Sequence, residues 1–261
     1  MDYKTLILTR EEGFATIRMN RPEKMNALNS QVVGELIGAC SEVSQDARVR
    51  AVILTGTGRA FCSGAELNAP DFRISDPAAA MNLGDSATQL IMSLKNMPKP
   101  VIAAVNGFAV GGGCNLALSC DIIVASEKAK FIEPYVLRAA HPDFGAIYFL
   151  PRLVGPAKAN YLLYSGKTVD AQEADRIGLV SCVVPEDQLE KTTRELARTL
   201  AKASPLVIGM TKASLNQSLG MDLLTTLNHE AAAQSVVFMT EDFKEAMKAF
   251  IEKREPVFKG H

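Results

Sequence analysis

The segment Val101–Asn115 reads VIAAVNGFAVGGGCN, and this stretch decides the fold of the chain. Its first five residues, Val101–Val105, form an uninterrupted apolar run that is typical of a buried strand. Three glycines, Gly111–Gly113, follow and precede a helical pattern. A strand that is buried on both faces and is followed by a turn and a helix indicates a parallel sheet.

The same alternation extends on both sides of this segment. Further strands are predicted at Thr5–Thr9, Phe14–Met19, Ala51–Thr55 and Ile122–Ala125. Helices are predicted after Ser30, through Leu90–Leu94 and at Asn115–Ser119, with a polar loop at Asn68–Asp85. Alternating strands and helices predict an α/β fold.

The C-terminal part of the chain has a different pattern, with few strand signals. Helices are predicted there at Leu189–Ala203, Thr211–Gln217, Met221–Phe238 and Thr240–Lys253. We therefore predict a core domain at residues 1–204 and a helical module at residues 205–261.

The composition argues against several classes of protein. The 28 Lys and Arg residues balance 29 Asp and Glu residues, which argues against a nucleic-acid partner. The five cysteines form no CxxC pair, which favours reduced thiols in the cytoplasm, and the three histidines lack metal-ligand spacing. Because Asn106 and Gly107 interrupt the longest apolar run and the N-terminus has no apolar signal segment, we expect neither a membrane span nor secretion.

The glycine triplet Gly111–Gly113 allows a ligand to approach the backbone closely. The N–H groups at the start of the following helix lack intrahelical partners and favour a negatively charged oxygen. On spacing alone, a phosphate-binding loop is an equally good interpretation, although the segment lacks the G-x-G-x-x-G fingerprint and the Walker lysine. Close packing between the helix and the strand is a third interpretation, and it requires no ligand.

Four motifs in a fixed order decide between these interpretations. They are NRPEKMNAL at residues 20–28, GRAFCSGAEL at 58–67, KPVIAAVNG at 99–107 with the glycine triplet, and AFIEKREPVF at 249–258. With them, nearly the whole chain resembles the enoyl-CoA hydratase/isomerase (crotonase) superfamily, especially its Δ3,Δ2-enoyl-CoA isomerase-like members. The resemblance implies a crotonase-like ββα spiral core, a C-terminal helical trimerisation module, and a homotrimer or a dimer of trimers. Its implied ligand is an acyl-CoA, so coenzyme A enters as part of the substrate and no separate cofactor is expected.

The resemblance also implies which residues contact the substrate. Two backbone N–H groups, those of Ala65 and Gly112, are expected to hold the thioester oxygen. Fixed donors there would stabilise the enolate that forms when a neighbouring proton is removed. The coenzyme A moiety is expected to contact Lys24, Met25, Ala27 and Ser63, and also Phe250 and Lys253 of a neighbouring subunit. For Lys253, a solvated helix face is the alternative interpretation.

Proton transfer requires an acid or base in addition to these donors. The resemblance implies that hydratases carry two glutamates, at the positions that Asn115 and Tyr135 occupy here. Asn115 could still form a hydrogen bond, and Tyr135 could belong to the core or to the pocket wall. In the stretch AAHPDFGA at residues 139–146, isomerases of the family carry an acid at the position of Asp143. Its apolar surroundings predict a raised pKa, whereas capping of the following helix is the alternative role. A structural or polar role is expected for His141.

One carboxylate is sufficient for moving a double bond. We therefore predict that Asp143 converts a 3-enoyl-CoA to a 2-enoyl-CoA through an enolate held by Ala65 and Gly112. The nearest rival is an enoyl-CoA hydratase that uses Asn115 together with Asp143. Dehalogenase-like members, which use an Asp here as nucleophile, look to need a histidine base that the helix before Pro98 lacks. A second rival is a noncatalytic relative that binds acyl-CoA or RNA.

Overall fold

The structure is a computed structural model that describes residues 2–70 and 77–261, without the side chains of residues 77, 79 and 80. Its strands are β1 (Leu6–Glu11), β2 (Gly13–Met19), β3 (Val49–Gly56), β4 (Ala60–Cys62), β5 (Val101–Val105), β6 (Phe108–Val110), β7 (Ile122–Ser126), β8 (Lys130–Ile132), β9 (Val169–Asp170) and β10 (Cys182–Val184). Its helices are α1 (Ser30–Gln45), α2 (Pro77–Lys95), α3 (Gly112–Leu118), α4 (Ala146–Val154), α5 (Pro156–Ser165), α6 (Ala171–Arg176), α7 (Leu189–Lys202), α8 (Pro205–Ser218), α9 (Leu223–Phe238) and α10 (Glu241–Glu252). No described helix is both long and apolar enough to cross a membrane.

The larger sheet has six strands in the order β1-β2-β3-β5-β7-β10. Only the β1–β2 pair is antiparallel, and every other neighbouring pair in this sheet is parallel. The α/β prediction and the parallel pairing predicted from the apolar runs are therefore confirmed.

Alternate residues of the central strands face two separate cores. In β3, Val52 and Leu54 belong to the main core, whereas Ala51 and Ile53 face a second core that includes Leu189 and Ala197 of α7. Since successive strand residues point to opposite faces, a strand that is covered on both sides needs apolar residues at every position. This requirement explains why the central strands β3, β5 and β7 have apolar residues on both faces.

The smaller sheet has four short strands in the order β4-β6-β8-β9. The pairs β4–β6 and β6–β8 are parallel, and β9 closes the sheet as an antiparallel edge strand. None of these four strands, nor β10, is predicted from the sequence, because two or three residues are too few to show a period. This sheet nevertheless carries most of the candidate site.

The predicted loop at Asn68–Asp85 is wrong over its second half. Helix α2 begins at Pro77, so the alanine-rich segment that follows is helical up to and beyond Asp85. Alanine has the highest helix propensity, and this preference outweighs the polar residues in the segment. Residues 71–76 of the predicted loop lie outside the described residues. The predicted C-terminal helices correspond to α7–α10, while the division at residue 204 remains a prediction.

Helix α8 is joined to the core by an ion pair whose lysine is buried. Lys212 is only 7% exposed, and its Nζ lies 2.7 Å from the Asp121 carboxylate. The same ammonium donates to the carbonyl oxygens of Leu94 and Lys99 at 2.8 and 2.9 Å. Asp121 also accepts from the backbone N–H of Val101 at 2.8 Å, so this pair connects α8 to α2 and to the start of β5.

We predict that Lys212→Met lowers the free energy of unfolding by about 2 kcal/mol, because the carbonyl oxygens of Leu94 and Lys99 lose their buried donor and Asp121 loses an ion-pair partner. Urea unfolding followed by circular dichroism measures this change. The matched control is Lys191→Met, since Lys191 is an exposed lysine on α7, and we expect a change below about 0.5 kcal/mol. Equal effects of the two substitutions would contradict a structural role for the buried lysine.

Candidate active site

The candidate site lies at one edge of the smaller sheet, where three parallel strands end. β4 is followed by Ala65, β6 by Gly112, and β8 by Glu133 and Tyr135. Because the carboxyl ends of parallel strands meet at the same edge, residues that are far apart in sequence become neighbours. The pairing of β4, β6 and β8 therefore brings together the two predicted backbone donors and the predicted polar residues.

Two glycines allow the first two of these strand ends to approach closely. A Cβ on Gly113 would lie 2.2 Å from the carbonyl oxygen of Cys62, and a Cβ on Gly64 would lie 2.6 Å from the carbonyl oxygen of Val110. Gly64 also has a φ of +83°, which side chains disfavour. Gly113 therefore allows the close packing between a helix and a strand that was one interpretation of the glycine triplet. The helix is α3 and the strand is β4, and both lie at the candidate site.

The backbone N–H of Ala65 is directed by the pairing of its neighbours with Leu28. The N–H of Leu28 donates to Gly64 O at 2.8 Å, and the N–H of Glu66 donates to Leu28 O at 2.7 Å. In such a parallel bridge Ala65 lies between the two bonded residues, and its own N–H points away from Leu28. Gly112 N lies 3.6 Å from the position of a Cβ on Gly64, so the two predicted donors belong to one small region.

The loop that carries the predicted coenzyme A contacts is fixed beside these donors. The buried Asn26 side chain accepts from Arg21 N at 2.9 Å and donates to Ala60 O at 2.8 Å. The N–H of Ser63 donates to Met25 O at 3.0 Å, and Lys24 forms an ion pair with Glu66 at 3.4 Å. The structure thus brings Lys24, Met25, Ala27 and Ser63 together around one loop.

Phe250 and Lys253 lie elsewhere, at the end of α10. Phe250 is 81% exposed, and Lys253 ends the helix with a φ of 54°. Within the described part of a single chain, neither side chain forms a hydrogen bond or ion pair with the loop at residues 20–28. Their predicted contribution therefore depends on a neighbouring subunit.

The predicted polar residues form one hydrogen-bonded group. Asn115 Nδ2 donates to Tyr135 OH at 3.1 Å and to the backbone oxygen of Asp143 at 3.1 Å. Tyr135 OH in turn donates to Asp143 Oδ1 at 2.5 Å. Asn115 and Tyr135 are buried, whereas Asp143 is exposed as a residue, so its carboxyl lies at the boundary between this group and solvent.

Burial and hydrogen bonding act in opposite directions on Asp143. Desolvation raises the pKa of its carboxyl, and the hydrogen bond from Tyr135 lowers this pKa, with a net rise. Burial and the Asp143 charge raise the pKa of Tyr135 well above its usual value, so the phenol remains a donor. The carboxyl of Asp143 is thereby more basic than an ordinary aspartate, while it stays accessible.

The alternative role of Asp143 as a helix cap is wrong. The N-cap of α4 is Gly145, with a φ of 82°, and no side chain caps this helix. Asp143 contributes its backbone oxygen, which accepts from Ala146 N at 3.0 Å. Its side chain is directed to Tyr135 instead. Nearby His141 is exposed, and its Nδ1 contacts Pro142 O at 2.8 Å.

Phe144 forms an apolar wall next to these groups. A Cβ on Gly112 would lie 3.1 Å from the Phe144 ring, which therefore packs directly against the predicted donor. Phe144 has a φ of 50°, a conformation that costs about 1 kcal/mol or more for an aromatic residue and that its surroundings must stabilise. An apolar ring at this place limits the access of water to the oxygen that Gly112 would hold.

Sequence reasoning missed Glu133. This residue follows β8, is only 3% exposed, and lies beside Asn115 and Cys114. The available signal was an acid directly after the apolar pair Phe131-Ile132 and before Pro134. Only the tertiary structure, which places the residue after β8 next to Asn115 of α3, makes this acid a buried member of the polar group.

Comparison with known proteins agrees with this fold. A sequence profile of the enoyl-CoA hydratase/isomerase family matches residues 9–261. The chain therefore belongs to the enoyl-CoA hydratase/isomerase family, and its α/β architecture is the crotonase fold.

Several relatives are similar over nearly their whole length. The chain is 39% identical over 256 residues to the short-chain-enoyl-CoA hydratase of Clostridium acetobutylicum, covering 98% of this chain and 97% of that protein. It is 36% identical over 254 residues to the 1,2-epoxyphenylacetyl-CoA isomerase of Escherichia coli, with 96% of each chain covered. The crystal structure of an enoyl-CoA hydratase from Bacillus anthracis superimposes with a TM-score of 0.94 at 34% identity, covering 99% of this chain and 100% of that one.

We predict that Gly64→Ala lowers kcat/KM for an acyl-CoA substrate by about a hundredfold or more, because the new methyl group would push the Ala65 and Gly112 donors apart. Steady-state kinetics on a folded variant tests this effect. Gly34→Ala is the control, since a Cβ on Gly34 of α1 meets no atom within 4 Å, and its activity should match that of the wild type. An active Gly64→Ala enzyme would argue against donors at this edge.

Proposed function

We propose that the protein is an enoyl-CoA isomerase that moves the double bond of a 3-enoyl-CoA to the 2-position. The observation that carries this proposal is the identity of the polar group. At the two positions where the resemblance implies hydratase glutamates, the chain has Asn115 and Tyr135, and both contact Asp143. The group thus presents one solvent-accessible carboxylate, which suits the transfer of one proton between two carbons.

In the proposed reaction, the Asp143 carboxylate removes a proton from C2 of the substrate. The electrons of that C–H bond form an enolate, whose oxygen accepts hydrogen bonds from the N–H groups of Ala65 and Gly112. The same carboxyl then returns the proton to C4, and the double bond moves from C3–C4 to C2–C3. The substrate and product therefore have the same atoms, and Asp143 ends the cycle ionised.

The surroundings of Asp143 support this role. Its raised pKa brings the carboxyl closer to the acidity of the carbon that it must deprotonate. The Tyr135 hydroxyl holds one carboxylate oxygen, Oδ1, and so orients the other toward solvent and substrate. Because Tyr135 keeps its proton, it stabilises the ionised form of the base without competing for the substrate proton.

Hydration of 2-enoyl-CoA is the second candidate, since relatives such as that of Clostridium acetobutylicum are hydratases by name. Water addition needs one group that activates water and another that protonates carbon, or a shared pair. Asn115 cannot accept or deliver a proton in this way, and Glu133 is buried. Assays of crotonyl-CoA hydration and 3-enoyl-CoA isomerisation on one preparation separate the two candidates, and we expect isomerisation to be faster.

We predict that Asp143→Asn lowers kcat for isomerisation by at least about a hundredfold, the low end for loss of a general base. The fold and the affinity for coenzyme A should remain, because the amide replaces a boundary carboxyl of the same shape. Isomerase assays and calorimetric coenzyme A binding measure the two quantities. Asp187→Asn, at an exposed aspartate outside the site, serves as the matched control.

The companion variant Tyr135→Phe tests the same assignment through pH. The substitution removes the Tyr135 hydroxyl, whose hydrogen bond lowers the pKa of Asp143, so this pKa should rise further. Because Asp143 must be ionised to act as a base, the acidic limb of kcat/KM should move to higher pH. An unchanged acidic limb in Tyr135→Phe, or near-wild-type turnover in Asp143→Asn, would refute Asp143 as the base.

We further propose that the chain assembles as a trimer or a dimer of trimers through its C-terminal helices. α9 buries no residue within the single chain, although it is rich in apolar side chains. Apolar residues exposed on α9, on α10 and between them are Leu223, Leu224, Leu227, Val236, Phe238, Met239, Met247, Phe250 and Ile251. A surface of this kind marks a protein–protein contact. Burial against neighbouring subunits would also bring Phe250 and Lys253 to an adjacent site.

Light scattering should therefore give three or six times the chain mass of 28.1 kDa. Truncation before about Met221 should yield aggregated or inactive protein, because it removes the contact surface and exposes apolar residues of α8. The measurement is multi-angle light scattering at micromolar concentration, combined with the isomerase assay. A fully active monomer would contradict this assembly.

A further inference from the structure

Glu133 is a buried titratable residue that the proposed reaction does not use. It follows β8, and only 3% of the residue is exposed. Among the described residues, its Oε1 atom has no hydrogen-bond partner, and neither has the Oδ1 atom of the adjacent Asn115. A buried carboxylate normally needs donors or a cation, so the protonation state of Glu133 requires an explanation.

The hydrogen bonds of Asn115 leave no amide hydrogen for Glu133. An amide NH₂ group has two hydrogens. Asn115 Nδ2 faces three oxygens: Tyr135 OH at 3.1 Å, the backbone oxygen of Asp143 at 3.1 Å, and Glu133 Oε2 at 3.4 Å. The backbone oxygen of Asp143 can only accept, which fixes the NH₂ group on that side. The hydroxyl of Tyr135 gives its own hydrogen to Asp143 Oδ1 and must therefore accept from Asn115.

When Asn115 donates its two amide hydrogens to Tyr135 and Asp143, no hydrogen remains for the longer contact with Glu133 Oε2 at 3.4 Å. The remaining donor to Glu133 is the thiol of Cys114, which is a weak donor. The groups that act on the pKa of Glu133 are Cys114 and Asn115 from α3 and Asp143 from the loop before α4, and none of them is a cation. Burial is the largest influence, and it raises the pKa of Glu133 to about 8.

Ionisation of Glu133 would alter the polar group in two ways. A carboxylate attracts hydrogens more strongly than a neutral oxygen, so it would draw the Asn115 amide away from Tyr135 or from the Asp143 backbone. It would also place a second negative charge near Asp143 and near the start of α3, where the enolate charge develops. In a poorly solvated region, this like charge opposes formation of the enolate.

We propose that Glu133 is a positioning residue that must carry its proton during the isomerase reaction, because only the neutral acid leaves both Asn115 N–H bonds for Tyr135 and Asp143. This inference rests on the proposed function. It assigns the two acids of the site opposite states, with Asp143 ionised as the base and Glu133 neutral behind it. The enzyme should therefore lose activity on the alkaline side of pH 8 through a residue that does not touch the substrate.

The pH dependence of kcat for a 3-enoyl-CoA tests this proposal. We expect the wild-type kcat to fall by about tenfold between pH 7 and pH 9, as the proton of Glu133 is lost. Glu133→Gln cannot ionise, so the ratio of its kcat values at these two pH values should change by less than about twofold. Glu12→Gln, at an exposed glutamate in the turn between β1 and β2, should keep the wild-type alkaline limb.

Stability provides a readout that does not depend on the reaction. The pKa of Glu133 in the folded state, about 8, is above the value of an unfolded glutamate, about 4.3. Between these two pH values the unfolded state releases a proton that the folded state keeps, so the wild type loses stability as pH rises. The Tm of Glu133→Gln relative to the wild type should therefore increase through this window and level off above it.

The outcomes separate this inference from the proposed function. An active Glu133→Gln enzyme with an unchanged alkaline limb would overturn the inference alone, whereas a wild type without isomerase activity would overturn the proposed function. If Glu133→Gln does not fold, infrared titration of the wild-type protein decides the question. A carbonyl band of a protonated buried carboxyl that disappears near pH 8 supports the inference, and absence of that band at pH 7 refutes it.

Discussion

The close approach of the β4 and β6 backbones is the constraint on which the candidate site depends. A Cβ at position 113 would lie 2.2 Å from Cys62 O, and one at position 64 would lie 2.6 Å from Val110 O. Real side chains cannot occupy such positions without moving the strands apart. The separation of the Ala65 and Gly112 N–H groups therefore depends on glycine at positions 64 and 113. Backbone donors that are fixed in this way would need no reorganisation when charge develops on a bound oxygen.

The third strand of this edge, β8, places an acid and a phenol next to the two predicted backbone donors. Because β8 runs parallel to β6, its end delivers Glu133 and Tyr135 beside the first turn of α3. The loop before α4 then brings Asp143 against Tyr135. Burial raises the pKa of both Glu133 and Asp143, yet their surroundings differ. A phenol donates to Asp143 and favours its charge, whereas Glu133 lacks a strong donor and favours its proton. In the proposed reaction, one polar group would in this way hold Asp143 as an ionised base and Glu133 as a neutral acid at the same pH.

The C-terminal helices relate the site to the rest of the molecule. The buried Lys212 connects α8 to the core through its ion pair with Asp121, while α9 leaves its apolar residues exposed. A helix that is apolar on several faces but buries no residue in its own chain lacks the usual source of helix stability, which is tertiary packing. Subunit contacts would supply that packing. They would also explain why the exposed Phe250 lies within a motif that the resemblance connects with the ligand.

The sequence by itself determined five of the six strands of the larger sheet, all except the short β10, because periodicity is a local property that long elements display. The run at Val101–Val105 is five consecutive apolar residues, and the structure has a strand with these same bounds. The motifs likewise led to the family and to Ala65, Gly112 and Asp143 as candidates. The tertiary structure alone decided the smaller sheet, since strands of two or three residues have no readable period. It also decided the burial of Glu133, because an acidic residue gives no local sign that distant elements will bury it.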